Sequence, residues 1–197
     1  MNKREFLGAA ALGGAAPVLG QGPLGASAAA PLPGPPLLTV TGAIARTNRA
    51  PFDPALDQMM HKQHIRFERA YTFDYASLAK LPAVTIVPTL EYDARPHQLR
   101  GPLLLDVVAV TGARPPDSGK LILRAVDGFA VSVSVEQARR QRLMVATLLD
   151  GKPMPLGGLG PLWAVLDADR IAELAAKPLA DRFGACPWAL YHIEVQA

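Results

Sequence analysis

Along residues 129–135 apolar and polar positions alternate without a break. Phe129, Val131, Val133 and Val135 fall on one side of an extended chain, with Ala130, Ser132 and Ser134 on the other. A period of two marks a strand with one buried face. A second β-branched run at 120–126 precedes it, and Asp127-Gly128 between the two supplies the positive φ of a tight hairpin turn. The same pattern predicts strands at 37–44, 65–68, 83–90, 143–149, 161–166 and 188–195, with Gly42 as a bulge in the first. Helical spacing is confined to short stretches. One covers 53–62, with Pro51 and Pro54 at its start, and another runs through Lys80, capped by Thr72 to Asp74 and ended by Pro82. A third opens at Gly101-Pro102, carries Leu103, Leu104, Val107, Val108 and Thr111 on one stripe, and closes at Gly112. Two more are predicted at 136–140 and 169–176. Short strands mixed with short helices, in no βαβ rhythm, predict one α+β domain over 37–197 with a mixed or antiparallel sheet.

Composition narrows the class. Of 197 residues 50% are hydrophobic, which suffices for a core and excludes wholesale disorder. The 17 glycines and 19 prolines cut the chain too often for a helix bundle. A net charge of +3, from 20 basic and 17 acidic side chains, is too balanced to imply nucleic acid. The single cysteine, Cys186, excludes an intrachain disulfide and any multi-cysteine metal centre.

The first residues read as an export signal. Lys3 and Arg4 form a basic start, residues 6–20 carry no charge, and Ala26-Ser27-Ala28 places small residues where a signal peptidase cuts. Asn2-Lys3-Arg4-Glu5-Phe6-Leu7 is similar to a twin-arginine signal, the alternative being an ordinary secretory signal. Cleavage after Ala28 leaves a periplasmic, soluble mature chain that starts at Ala29 with a proline-rich tether over 29–36 and has no membrane span.

Candidate chemistry is sparse. His61 and His64 share a face if the 53–62 helix continues, but lack a third ligand at a matching spacing, so a solvated face is expected and no metal site. Glu91, Tyr92, Asp93, Arg95 and His97 cluster directly after the 83–90 strand, where sites are often placed; the alternative is a solvated polar loop. Turn chemistry alone accounts for Asp127-Gly128 and Asp150-Gly151. Arg139, Arg140 and Arg142 make a basic run without the glycines of a phosphate cradle. Cys186, before Pro187, reads as packing. Neither a nucleophile elbow nor a phosphate loop is present in the sequence.

The order of motifs nevertheless resembles a known family. Leu38-Thr39-Val40-Thr41-Gly42 is followed by Phe73-Asp74-Tyr75-Ala76-Ser77-Leu78, Thr89-Leu90-Glu91 and Leu99-Arg100-Gly101-Pro102-Leu103-Leu104-Leu105. Ala125-Val126-Asp127-Gly128-Phe129, Leu149-Asp150-Gly151-Lys152-Pro153-Met154, Gly160-Pro161-Leu162-Trp163 and Ile193-Glu194-Val195 come next. Together they resemble the molybdopterin-binding domain of the sulfite oxidase family, from Leu37 to the C-terminus. The resemblance implies that family's fold and, in its enzymes, molybdopterin with a molybdenum-ligating cysteine after the Thr-x-Glu step. Tyr92 occupies that position, and Trp163 stands where the enzymes carry arginine after Gly-Pro-Leu. The tryptophan version is similar to a small exported branch lacking the metal cysteine. That branch usually has an arginine before Gly-Pro-Leu-Trp, where this chain has Pro155-Leu156-Gly157-Gly158-Leu159.

Two functions follow as expectations. One is a non-catalytic periplasmic module, without a cofactor, that binds a small ligand or a partner protein in the old cofactor cleft. The other is an active molybdopterin-dependent oxidoreductase with a non-cysteine metal environment. Under either, the cleft is expected at the end of the 83–90 strand, lined by Glu91, Tyr92, Asp93, Arg95 and His97, with the Trp163 indole as an apolar wall. Arg95 there would pair with an anionic group, and His97 would exchange a proton near neutral pH.

Overall fold

Strand β1 (Leu38–Gly42) is buried at four consecutive positions instead of alternating, which requires cover on both faces. A computed structural model, describing residues 34–197, shows how that cover arises. The export signal and residues 29–33 of the tether lie outside the described residues. Leu38 and Val40 join the main core, while Thr39 and Thr41 face the opposite side. A smaller cluster covers the sheet there: Met60, Ile65, Phe67, Ala70 and Tyr191.

β1 runs parallel to the last strand and antiparallel to β2 (Ala70–Phe73). Helices α1 (Gln58–Lys62) and α2 (Tyr75–Ala79) flank β2 in the chain. The Asp74 carboxylate caps α2 by accepting the Ser77 N–H at 2.7 Å, as its sequence predicts. Then come β3 (Ala83–Ile86), β4 (Leu99–Pro102) and α3 (Leu104–Val110). The hairpin of β5 (Lys120–Ala125) and β6 (Ala130–Ser134) leads into α4 (Val135–Arg140), capped by Ser134. The chain continues through β7 (Met144–Ala146), β8 (Leu148–Leu149), β9 (Lys152–Pro153), β10 (Trp163–Val165), α5 (Ala172–Ala175) and β11 (Leu190–Gln196). Five strands form a mixed sheet in the order β2-β1-β11-β5-β6. Four form an antiparallel sheet, β3-β4-β8-β9, and β10 pairs with β7. The α+β expectation with a mixed sheet holds.

The departures have physical causes. Residues 65–68 are not a strand: the Ile65 N–H donates to the Met60 carbonyl and the Phe67 carbonyl accepts from Phe52, so ladder bonding starts only at Ala70. The predicted 83–90 strand ends at Ile86, because Pro88 has no N–H and the Thr89 N–H donates to the Asp169 carboxylate at 2.7 Å. β3 is an edge strand with alternate positions exposed, not a buried one. Gly101 and Pro102 belong to β4, and the helix opens after the extended Leu103. A side chain at Gly101 would strike the Val145 backbone, so glycine permits the approach of β4 to β7. The 143–149 run divides at Thr147 into strands of two different sheets. The predicted 169–176 helix is a short 3-10 turn, Ala168–Arg170, followed by α5. Gly112 terminates α3 with φ +74°, as expected of a C-cap.

Candidate functional site

After β3 the chain reverses through a turn at residues 91–94, in which the Ala94 N–H donates to the Leu90 carbonyl at 3.0 Å and Ala94 takes φ 57°. The turn separates the residues that the sequence grouped together. His97 engages two carboxylates, with Nδ1 2.7 Å from Asp150 Oδ2 and Nε2 2.9 Å from Asp93 Oδ2. Asp150 also accepts the Gln98 N–H at 2.9 Å, fastening the loop to the β8–β9 turn. The bonds from Asp150 and then Asp93 raise the His97 pKa above its ordinary value, and its pairing holds both acids below theirs. An imidazolium held on both nitrogens is a clamp, with neither nitrogen free to shuttle protons. Arg95 is exposed, and its backbone N–H donates to Asp93.

Glu91 and Tyr92 line a cavity of about 240 Å³. The β5–β6 turn adds Asp127 and Phe129, and the segment before β11 adds Phe183, Cys186 and Trp188. Tyr92, Phe129 and Trp188 are 56%, 48% and 39% exposed, so three aromatic side chains stand open to solvent around one hollow. Partial burial, then the neighbouring Glu91 carboxylate, push the Tyr92 phenol up to about 12. Burial pushes the Cys186 thiol up to about 12 as well, leaving a neutral group at the cavity's edge.

Asp93, Arg95, His97 and Trp163 are not among the described residues lining this cavity. Trp163 is fully buried behind it. Its indole N–H donates to the Cys186 carbonyl at 2.9 Å and its ring lies 6.0 Å from that of Phe183, so it supports the wall without forming it. The sequence pattern marks neither Phe129 nor Trp188 as a site residue, and it assigns Asp127 to a turn and Cys186 to packing, whereas all four line the cavity. Alternation predicted Phe129 as buried, and Trp188 as the start of a strand, yet Ala189 at φ 48° breaks the extended chain before Leu190.

The other candidates lie away from this cavity, and His61, Lys62, His64 and Arg66 line a separate hollow. His64, at φ 58° beyond the end of α1, shares no helical face with His61, and no metal-ligating group of three is found among the described residues. Arg139 pairs with Asp117 and Arg140 with Glu173 on an exposed surface. No helix among the described residues is long and apolar enough to cross a membrane.

Comparison with known proteins adds the fold class. No protein-family model matches this chain, and no curated protein does. Among solved structures, the sulfane dehydrogenase SoxCD from Paracoccus pantotrophus is similar, with a TM-score of 0.52 at 11% identity. The likeness covers 81% of this chain and 37% of that one. At such identity it shows the fold alone: a sulfite-oxidase-type, molybdopterin-oxidoreductase-like architecture, distantly related in form.

Proposed function

We propose that this chain is an exported, periplasmic, non-catalytic module on a molybdopterin-oxidoreductase-like fold, binding a small ligand in the cavity beside Tyr92. The carrying observation is Tyr92 itself. A neutral phenol stands at the position where the family resemblance implies a metal thiolate, and it opens onto the largest cluster of exposed aromatic side chains among the described residues. The lining fits molybdopterin poorly. The phosphate of a pterin cofactor is best met by cationic donors, and among the described lining residues there is neither lysine nor arginine, while Glu91 and Asp127 repel an anion. Cys186 lies at the edge of the same cavity, where burial raises its thiol to about 12.

The second reading, an active molybdopterin oxidoreductase, draws on the Lys3-Arg4 signal, since the twin-arginine route exports proteins already folded around a cofactor. Native mass spectrometry of protein purified from its own host separates the two. The module gives the mass of the processed polypeptide, alone or with a small adduct. The enzyme gives a molybdopterin adduct.

A further inference from the structure

The hollow beside Tyr92 combines two features that arise from different parts of the chain. Tyr92, Phe129 and Trp188 offer aromatic surface from the 91–94 turn, the β5–β6 turn and the segment before β11. Glu91 and Asp127 bring carboxylates to the same lining. Asp127 spends one oxygen on the Phe129 N–H at 2.9 Å, which fixes the turn that presents the ring while leaving the charge in place. Glu91 lies close enough to influence both the Tyr92 hydroxyl and the Cys186 thiol, so its negative charge bears on the interior of the hollow.

Such a lining selects by charge and by hydration. The faces of aromatic rings carry negative potential and attract a cation held over them. A primary ammonium is strongly hydrated and needs hydrogen-bond acceptors on every proton. A quaternary ammonium has no N–H, leaves water readily, and matches aromatic faces with its diffuse charge. At about 240 Å³ the cavity is smaller than the range of roughly 300–1,000 Å³ common for drug-sized ligands, so the fit is to a compact molecule. We propose that this cavity binds a small quaternary ammonium compound, with Tyr92, Phe129 and Trp188 around the cation and Glu91 and Asp127 balancing its charge.

The assignment rests on the ligand-binding function proposed above and names its ligand class. The same chemistry occurs as a free small molecule or as a phosphocholine headgroup. The two carboxylates favour the free form, because a phosphate beside them is repelled.

Trp188 makes the test direct. The chain has only two tryptophans, and Trp188 lines the cavity while Trp163 is fully buried, so a change in emission that a Trp188→Phe variant loses reports a ligand in the cavity. The purified full-length protein is titrated with choline, with its uncharged isostere in which carbon replaces nitrogen, and with phosphocholine, by fluorescence and by calorimetry. Choline is expected to bind saturably, at least ~10-fold more tightly than the isostere, the difference coming from the cation–aromatic and carboxylate terms. Phosphocholine is expected to bind more weakly than choline, and Glu91→Gln to weaken choline about 5-fold. Equal binding of choline and its isostere overturns the proposal, as does tighter binding of phosphocholine or no binding at all. If the native protein carries molybdopterin by mass, the module function fails. If it carries none and choline does not bind, only the ligand class fails.

Discussion

The Trp163 indole N–H donates to the Cys186 carbonyl at 2.9 Å, joining the first residue of β10 to the segment that forms one wall of the cavity. Both partners are buried, so neither has water as a substitute. Trp163→Phe leaves the carbonyl unpaired and shrinks the side chain packed against Phe183. The expected cost is about 2–4 kcal/mol, from the orphaned acceptor and the lost volume. Denaturant unfolding of the variant measures it, and an unchanged midpoint would remove Trp163 as the anchor of the wall.

His192 gives the fold a dependence on acid. It is fully buried in β11, where Arg124 donates to Nδ1 at 3.1 Å and Nε2–H donates to the Thr41 hydroxyl at 2.9 Å. Burial, then the Arg124 charge, push its pKa down from 6.5 to about 3. The unfolded chain therefore binds this proton between those two values and the folded chain does not. Stability from this group is complete above pH 6.5 and is lost as the pH falls toward 3, by up to about 1.4 kcal/mol per pH unit. Unfolding measured across that range in the native protein and in His192→Gln, which takes no proton, should give a shallower slope for the variant.

The His97 clamp has the opposite sign. Its pKa is raised by Asp150 and Asp93, so its contribution is complete below 6.5 and fades as the pH rises through the higher folded value. The clamp is partly exposed, and the consequence is local: the 91–97 loop loosens from the β8–β9 turn in alkali. Proton resonance titration of the ring should place its midpoint above 6.5, and Asp150→Asn should lower it. A midpoint at or below 6.5 would dissolve the clamp.

Export is tested at the N-terminus. Mass spectrometry of the protein from the periplasmic fraction is expected to find a chain starting near Ala29. A soluble periplasmic form retaining Met1 would contradict the predicted cleavage.

Local patterning made much of the fold legible. The Asp127-Gly128 hairpin, the Asp74 cap and the Gly112 terminus each follow from a few adjacent residues, and the structure has all of them. What escaped depends on distant partners. Nothing within 143–149 says that its two halves pair with different strands, and nothing in 65–68 reveals that its apolar residues cover the far face of β1. The cavity shows the same limit. Glu91 and Tyr92 were legible as residues at a strand's end, but Cys186, almost a hundred positions later, reaches the same hollow only through the packing of Trp163 and Phe183. Aromatic exposure was hidden too, because a strand pattern counts Phe129 as core whether or not anything covers it.

Elemental analysis of protein purified from its native host bears most directly on the central claim that the Tyr92 cavity serves binding and not molybdenum chemistry. Molybdenum far below one atom per chain is the predicted result. One molybdenum per chain would contradict it.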